Sequence, residues 1–153
     1  MTTQPQPATP KTVVKVTHRF SASAERVYDA WLDPARVGRW LFATPTGSVV
    51  RAEIDARVGG RFAIVDRRDG EDVLHTGEYL ELDRPRRLVF TFGVPKYSPE
   101  FDRVTVEIKP AGSGCELTLT HDVTPQWADG ARGGWVGILE ALATALGEPP
   151  AAR

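Results

Sequence analysis

Glu78 and His121 are the two side chains of this sequence best placed for chemistry. Glu78 lies two residues before Leu80 in an alternating segment, and His121 continues the alternation of Leu117 and Leu119. Alternation places each polar group on the same side of a strand as its aliphatic neighbours. A carboxyl or imidazole group that faces an apolar interior can act as a general acid, a general base or a hydrogen-bonding anchor for a ligand.

Each of these residues also has a purely structural interpretation. Glu78 can lie near a strand end with its charge in water, or pair with an arginine at the rim, and His121 can be a half-exposed strand terminus. His18 also alternates inward and is interpreted first as a packed core histidine near the first helix. His75 falls on the opposite side of its strand from Glu78 and is predicted to be solvated.

Seven aromatic residues provide a second signal, because aromatic walls with few polar groups are typical of pockets for flat or lipid-like molecules. They are Trp31, Trp40, Phe42, Phe62, Phe90, Phe92 and Trp135. The alternative is that these rings fill the core solidly, as close-packed interiors do. Trp127 falls in a segment from Pro125 to Gly133 that is predicted to be a loop, and it is expected at the rim.

Motifs for covalent, metal or cofactor chemistry are missing from the sequence. The three histidines have no i, i+4 or cysteine-paired spacing that would hold a metal ion. Gly59-Gly60 lacks the remaining glycines of a dinucleotide fingerprint and is interpreted as a turn. Cys115 is expected to be buried, and no serine lies in a Gly-x-Ser-x-Gly context. We therefore predict no metal, no cofactor and no catalytic set, while the question of an enzymatic activity stays open.

A long amphipathic helix near the C-terminus must position these groups. Trp135, Ile138, Leu139, Leu142 and Leu146 recur at steps of three and four, which gives one apolar face about 100° wide. That face needs a surface to cover, and the alternating segments before it supply one. We predict that the helix lies across an antiparallel sheet and leaves a cavity between the two.

Seven segments have the period of a strand, near residues 13–20, 49–55, 60–67, 71–82, 86–93, 101–109 and 115–123. Hairpin-like turns separate most of the last six, so these strands are predicted to pair antiparallel. Ser23 and Asp33-Pro34 are typical helix starts and predict two short helices after the first strand. Residues 1–11 and 148–153 are expected to be flexible tails of one domain that spans 12–147.

The more apolar side of each strand is assigned to the face toward the helix. In the segment 71–82 this assignment turns Leu74, Thr76, Glu78, Leu80 and Leu82 inward. In the segment 49–55 it turns Val50, Ala52 and Ile54 inward. The ligand-binding residues predicted from this assignment are Trp31, Trp40, Phe42, Phe62, Glu78, Phe90, Phe92, Val106, Leu119, His121, Trp135 and Leu139.

Composition and charge exclude several classes of protein. The 153 residues fit one domain, and 25% charged with 41% apolar residues is typical of a globular protein in water. A net charge of −1 from 19 basic and 20 acidic residues gives no field that would attract nucleic acid or an anionic membrane. One cysteine, no leader-like N-terminus and no apolar run of about 20 residues predict a cytoplasmic protein without membrane insertion. The oligomeric state, including a homodimer, stays open.

Several local motifs occur in a defined order along the chain. They are Ser23-Ala-Glu-Arg-Val-Tyr-Asp-Ala-Trp31, Asp55-Ala-Arg-Val-Gly-Gly-Arg-Phe62, Gly77-Glu-Tyr-Leu-Glu-Leu82, Pro85-Arg-Arg-Leu-Val-Phe-Thr-Phe92, Cys115-Glu-Leu-Thr-Leu-Thr-His121 and Gly134-Trp135. Together they resemble the family named for the activator of Hsp90 ATPase, within the START-like (SRPBCC) helix-grip superfamily, from about residue 13 to residue 147. The resemblance implies an α+β fold: a seven-stranded antiparallel sheet curled around the C-terminal helix, two short helices closing one end, and a cavity between. It implies no particular reaction.

Three functions follow from these observations. The first is binding of a small hydrophobic or aromatic molecule in an internal cavity, oriented by Glu78 and His121, and it is preferred because the interior is apolar and a catalytic set is missing. The second is a protein-interaction module of the Hsp90 co-chaperone kind, with a chaperone as partner. The third is an enzyme that resembles the cyclases and hydrolases of the superfamily and uses Glu78 or His121 as acid or base.

Overall fold

The computed structural model describes residues 11–41, 47–97 and 99–147. The strands are β1 Thr12–Phe20, β2 Ser48–Ile54, β3 Arg61–Arg68, β4 Glu71–Asp83, β5 Arg87–Phe92, β6 Asp102–Ala111 and β7 Gly114–Val123. The helices are α1 Ala24–Ala30, α2 Pro34–Val37 and α3 Ala128–Ala145, and a short 3-10 turn at Pro125–Trp127 precedes α3. Phe42 and nearly all of the two predicted terminal tails lie outside the described residues.

All seven strands form one antiparallel sheet in the order β1-β7-β6-β5-β4-β3-β2. The order follows from the sequence, because each short connection from β2 to β7 joins neighbours that run in opposite directions. β1 then pairs with β7, with Val14 opposite His121 and Phe20 opposite Cys115. The predicted sheet and the α+β helix-grip architecture are confirmed.

Two side-chain caps start the short helices, as the sequence predicts. The hydroxyl of Ser23 accepts a hydrogen bond from the backbone N–H of Arg26 at 3.2 Å. The carboxylate of Asp33 accepts from the N–H of Ala35 at 2.9 Å, with Pro34 in the first turn. These caps supply acceptors for N–H groups that a helix leaves unpaired at its start. Val27 of α1 and Val37 of α2 are buried in the core, together with Trp31, Trp40 and Leu41, which follow these two helices.

Helix α3 begins earlier than the sequence predicts. The expected loop from Pro125 to Gly133 is instead the 3-10 turn and the first turns of α3, so that prediction is wrong. Ala128 and Ala131 pack against the core one to two turns before Trp135, and this tertiary contact outweighs the poor helix propensity of the glycines. Trp127 is 57% exposed at the junction, as expected for a residue at the rim.

Helix α3 lies against β1 and the inner face of the sheet. Trp135, Leu139 and Leu142 are buried, while Ile138 and Leu146 pack partly against the core. The guanidinium of Arg132 donates to the carbonyl of Lys15 on β1 at 3.0 Å, and that of Arg26 donates to the carbonyl of Leu146 at 3.2 Å. The predicted apolar stripe is therefore the face that the sheet covers.

The assignment of faces on β4 is wrong. The buried residues of this strand are Val73, His75, Gly77 and Tyr79, and they alternate with the residues that were predicted inward. The register explains the inversion, because His75 lies opposite the core residue Ile64 on β3. His75 is 5% exposed, so its predicted solvation is also wrong.

Two bulges change the alternation locally. On β4 the register shifts between Tyr79 and Glu81, and Leu82 therefore returns to the inner face as predicted. On β2 the register shifts between Val49 and Arg51. Val50 at this shift is 44% exposed, which contradicts its predicted inward position. A bulge adds one residue to one strand, so the alternation of side chains between the two faces shifts by one residue there. A strict period of two therefore assigns the wrong face beyond the bulge.

Candidate functional site

A group of aromatic side chains, which we call the ring cluster, fills the interior beneath α1 and α2. Its members are Trp31, Trp40, Phe62, Tyr79 and Phe90. Trp31 packs edge to face on Trp40, with ring centroids 4.8 Å apart, and lies 6.1 Å from Phe90. Phe90 packs edge to face on Phe62 at 5.6 Å, and Phe62 lies 5.7 Å from Tyr79. Edge-to-face pairs of this kind stabilise a core beyond the area that they bury.

A cavity of about 10 Å³ lies next to the rings of this cluster. Its lining residues are Trp31, Leu41, Phe62, Ile64, Tyr79, Leu88 and Phe90. This volume holds about one water molecule, whereas pockets for small ligands measure roughly 300–1,000 Å³. A ligand at this position would therefore require the helices above it to move.

Two indole N–H groups in the ring cluster have no acceptor within the described part of the chain. They belong to Trp31 and Trp40, whose side chains are 2% and 0% exposed. A buried donor without a partner costs about 1–3 kcal/mol, because it loses its hydrogen bond to water. Buried donors without a partner are uncommon in native structures, and each one requires a specific explanation.

A second group of side chains surrounds Phe92 at the end of β5, and we call Phe92, His75, His121 and Trp135 the Phe92 cluster. His75 stacks on Phe92 at 6.0 Å with 10° between the ring planes. His121 and Trp135 meet Phe92 edge to face at 5.9 Å and 6.0 Å. Trp135 also lies 6.4 Å from Trp31, so the Phe92 cluster continues into the ring cluster.

Both ring nitrogens of His121 are engaged in hydrogen bonds. The indole Nε1 of Trp135 donates to Nδ1 at 2.9 Å, and Nε2 lies 2.9 Å from Oδ2 of Asp102. Because an indole N–H can only donate, Nδ1 is the acceptor and the ring proton is assigned to Nε2. His121 therefore joins α3 to β6 and β7, and neither ring nitrogen is left to act as a base.

Asp102 connects this chain of hydrogen bonds to the surface. Its Oδ1 accepts from the Lys11 ammonium at 2.6 Å. Burial alone would raise the pKa of Asp102, but the hydrogen bonds from His121 and Lys11 outweigh burial, and the pKa lies below its usual value. Asp102 is therefore ionised at neutral pH and orients His121.

His75 has charged neighbours on β3. The guanidinium of Arg68 lies 3.3 Å from Nε2 of His75 and donates from Nε to Oδ2 of Asp66 at 2.7 Å. Burial, together with the positive charge of Arg68, lowers the pKa of His75 to about 4. Because a guanidinium can only donate, Nε2 is the acceptor and the ring of the neutral His75 carries its proton on Nδ1.

Most of the predicted ligand-binding residues meet in these two clusters, namely Trp31, Trp40, Phe62, Phe90, Phe92, His121 and Trp135. Val106, Leu119 and Leu139 are 0% exposed and belong to the packed hydrophobic core around these two clusters. Glu78 lies on the outer face, opposite Arg61, and its backbone N–H donates to the hydroxyl of Thr91 at 2.9 Å. The prediction that Glu78 faces the cavity is therefore wrong.

The sequence-based assignment missed Asp66, Arg68, His75, Tyr79 and Asp102. The alternation of Val73, His75, Gly77 and Tyr79 was visible, but the histidine and the glycine made this side look less apolar than the other. Arg68 and Asp66 share the inner face with Phe62 and Ile64, which a strict period of two on β3 would have indicated.

A larger hollow lies beside β2, β3 and β4 and is open to solvent. Its volume is about 390 Å³, and Glu53, Ile54, Asp55, Arg61, Phe62, Ala63 and Thr76 line it. Charged side chains form part of this lining, and two of them, Glu53 and Asp55, ion-pair locally with Arg51 and Arg57 rather than converge on one point. An open hollow buries little of a ligand, so the buried aromatic interior is the better candidate.

Among the described residues, no group of three histidine, cysteine or acidic side chains could hold a metal ion. The helices of the described part of the chain are too short or too polar to cross a membrane.

Comparison with known proteins places this geometry in a family. The model of the family described as activator of Hsp90 ATPase homolog 1-like protein matches residues 21–147. No curated protein matches the sequence. A crystal structure of a protein from Chromobacterium violaceum is similar, with a TM-score of 0.80 and 29% identity over 90% of this chain and 97% of that one. The solution structure of an AHSA1-like protein from Aeromonas hydrophila has a TM-score of 0.79 and 22% identity over 89% and 92% of the two chains. The chain therefore belongs to the family of activator of Hsp90 ATPase homolog 1-like proteins.

Proposed function

We propose that this protein binds a small apolar or aromatic molecule between the inner face of the sheet and its helices. The observation that carries the proposal is the pair of buried indole N–H donors, on Trp31 and Trp40, that find no acceptor among the described residues. A flat ligand with a carbonyl or ether oxygen would supply that acceptor and cover the aromatic walls. Each new hydrogen bond would remove a cost of about 1–3 kcal/mol.

The cover over this interior consists of short elements. α1 has seven residues and α2 has four. A four-residue helix has little hydrogen bonding of its own, so its position depends on packing. Displacement of Leu41, which lines the 10 Å³ cavity, together with α2 would open that cavity. Ligand binding would then shift the population toward the open arrangement.

A matched pair of neutral probes tests this function. 2-Acetylnaphthalene carries one carbonyl acceptor, and 2-ethylnaphthalene has nearly the same shape without it. We expect tighter binding of 2-acetylnaphthalene, measured by quenching of tryptophan fluorescence. A probe present at about 100 times its Kd stabilises the folded state by about 2.7 kcal/mol, which a thermal unfolding scan detects.

Two variants provide the controls. Trp40→Phe keeps an aromatic ring but removes one indole N–H, and it should reduce the preference for 2-acetylnaphthalene. Glu78→Gln changes the outer face and should leave both affinities within about twofold of the wild type, a difference of less than 1 kcal/mol. Absence of binding by both probes, with the wild type folded, would contradict the proposal.

A second candidate function is docking on a chaperone, which the exposed aromatic residues favour. Tyr97, Phe101 and Trp127 are 62%, 43% and 57% exposed. β6 begins after Phe101 and antiparallel β7 ends before Trp127, so both side chains lie at the same end of the sheet. Stimulation of the ATPase of an Hsp90-type chaperone, lost in Trp127→Ser but retained in Trp40→Phe, would support this function over ligand binding.

The acid–base hypothesis has no geometric support. Glu78 lies on the outer face, and both nitrogens of His121 are engaged by Trp135 and Asp102. A general base needs an accessible lone pair within hydrogen-bonding reach of its substrate. We therefore propose no reaction for these two residues.

A further inference from the structure

Arg68 is a cation that the sheet turns toward its inner face. It follows Asp66 by two residues on β3, so the two side chains share that face. Its Nε donates to Asp66 at 2.7 Å, and its Nη2 donates to Nε2 of His75 at 3.3 Å. Because His75 stacks on Phe92, these bonds fix the guanidinium beside the Phe92 cluster.

The guanidinium of Arg68 is fixed by its partners but stays partly exposed to solvent. The side chain of Asp66 is 0% exposed, whereas that of Arg68 is 29% exposed. A guanidinium has five N–H donors, and the two bonds above use one on Nε and one on Nη2. The remaining donors include both of those on Nη1. The edge formed by Nη1 and Nη2 is able to bind a carboxylate through two parallel hydrogen bonds.

Stability alone does not account for this ion pair. Replacement of a buried ion pair by well-packed apolar residues is often neutral or stabilising, because both charges lose their hydration. Asp66 and His75 instead give Arg68 a single orientation next to an aromatic surface. A charged group held rigidly at the edge of an apolar surface is typical of a site that recognises an amphipathic ligand.

We infer that Arg68 binds the carboxylate of a small aromatic carboxylic acid whose ring system lies against the Phe92 cluster. This inference rests on the proposed function and adds the charge of the ligand and its orientation. Phe92 is partly exposed while His75, His121 and Trp135 are 5%, 3% and 3% exposed, so Phe92 presents the apolar surface that a ligand can reach. The buried ring of Trp135 contacts both Phe92 and Trp31, so it connects the Phe92 cluster to the ring cluster.

The test compares three naphthalene derivatives by calorimetric titration. 2-Naphthoate is an anion, 2-naphthamide is its neutral isostere, and 2-acetylnaphthalene reports binding that needs no charge. A charge-assisted hydrogen bond contributes enough for at least about a tenfold change in affinity. We therefore expect the wild type to bind 2-naphthoate at least about tenfold more tightly than 2-naphthamide, and added salt should weaken this preference.

Variants of Arg68 and its neighbours test which residue causes the preference for 2-naphthoate over 2-naphthamide. Arg68→Lys keeps the positive charge but loses the planar fork, so the preference should fall without disappearing. Arg68→Gln alone would leave Asp66 buried without its cation and could unfold the protein. The double variant Asp66→Asn with Arg68→Gln removes both charges together and should abolish the preference. Arg67→Gln is the matched control, because Arg67 pairs with Asp72 on the exposed side of the hairpin.

The outcomes separate this inference from the function on which it rests. Equal binding of 2-naphthoate and 2-naphthamide, with 2-acetylnaphthalene still bound, would overturn the carboxylate assignment alone. A preference that survives in the folded double variant would overturn the role of Arg68. Absence of binding by all three compounds would overturn the proposed function together with the inference.

Discussion

Acid should destabilise this protein through His75. Burial, followed by the charge of Arg68, lowers the pKa of His75 to about 4 in the folded protein, whereas the unfolded chain has the ordinary value of 6.5. Between these two values the unfolded state binds a proton that the folded state does not. The free energy of unfolding therefore falls as the pH decreases from about 6.5 to about 4.

The size of the effect follows from the same two values. One pKa unit corresponds to about 1.4 kcal/mol, so the difference between 6.5 and about 4 amounts to about 3 kcal/mol. Most of this stabilisation is present at neutral pH and is lost near pH 4. Domains of this size are stable by about 5–15 kcal/mol, so protonation of one histidine would remove a substantial part of the total.

Urea unfolding of the wild type and of His75→Gln measures this effect. Glutamine accepts a hydrogen bond from Arg68 but does not titrate, so the variant should lose about 3 kcal/mol less than the wild type between about pH 7 and about pH 4. Groups that titrate in both proteins, such as Asp102, cancel in the difference. Equal losses in the two proteins, or an NMR titration of the His75 ring with a midpoint near the ordinary value, would refute the reasoning.

Three further predictions concern stability. Gly134→Ala should raise the free energy of unfolding by about 0.5–1 kcal/mol in urea titrations, because a Cβ there meets nothing within 4 Å and alanine favours the helix. Gly77→Ala should destabilise the protein strongly or prevent folding, since a Cβ there would clash with the carbonyl oxygen of Thr91; unchanged stability would contradict this packing. Trp135→Phe should lower the free energy of unfolding by about 1–3 kcal/mol, because Nδ1 of His121 loses its donor. The NMR signals of the His121 ring should also show a change of tautomer.

The architecture could be predicted because local signals agreed with one another. Side-chain caps at Ser23 and Asp33, the spacing of Trp135, Leu139 and Leu142, and the hairpin turns all indicate the same fold. Antiparallel pairing between sequential strands then leaves few topologies to consider. Agreement across levels of this kind is what makes a sequence specify one structure.

The site was harder to predict because it depends on which face of β4 turns inward. Apolarity favoured the side with Leu74 and Leu80, but the burial of His75 is stabilised by stacking on Phe92 and by hydrogen bonding to Arg68. These partners lie on β5 and β3, and a pattern within β4 contains no information about them. The bulge after Tyr79 adds a second difficulty, because Leu82 then faces inward together with Tyr79. A strict alternation would have placed these two residues on opposite faces, so the apolar Leu82 favoured the wrong assignment.

Tryptophan side-chain signals test the central claim most directly, because the chain contains four tryptophans and each gives one indole N–H resonance in a ¹H–¹⁵N NMR spectrum. Titration with 2-acetylnaphthalene should move the buried Trp31 and Trp40 resonances downfield as these donors gain an acceptor, and leave the exposed Trp127 resonance in place. Binding that moves the Trp127 resonance while those of Trp31 and Trp40 stay unchanged would contradict an internal ligand site.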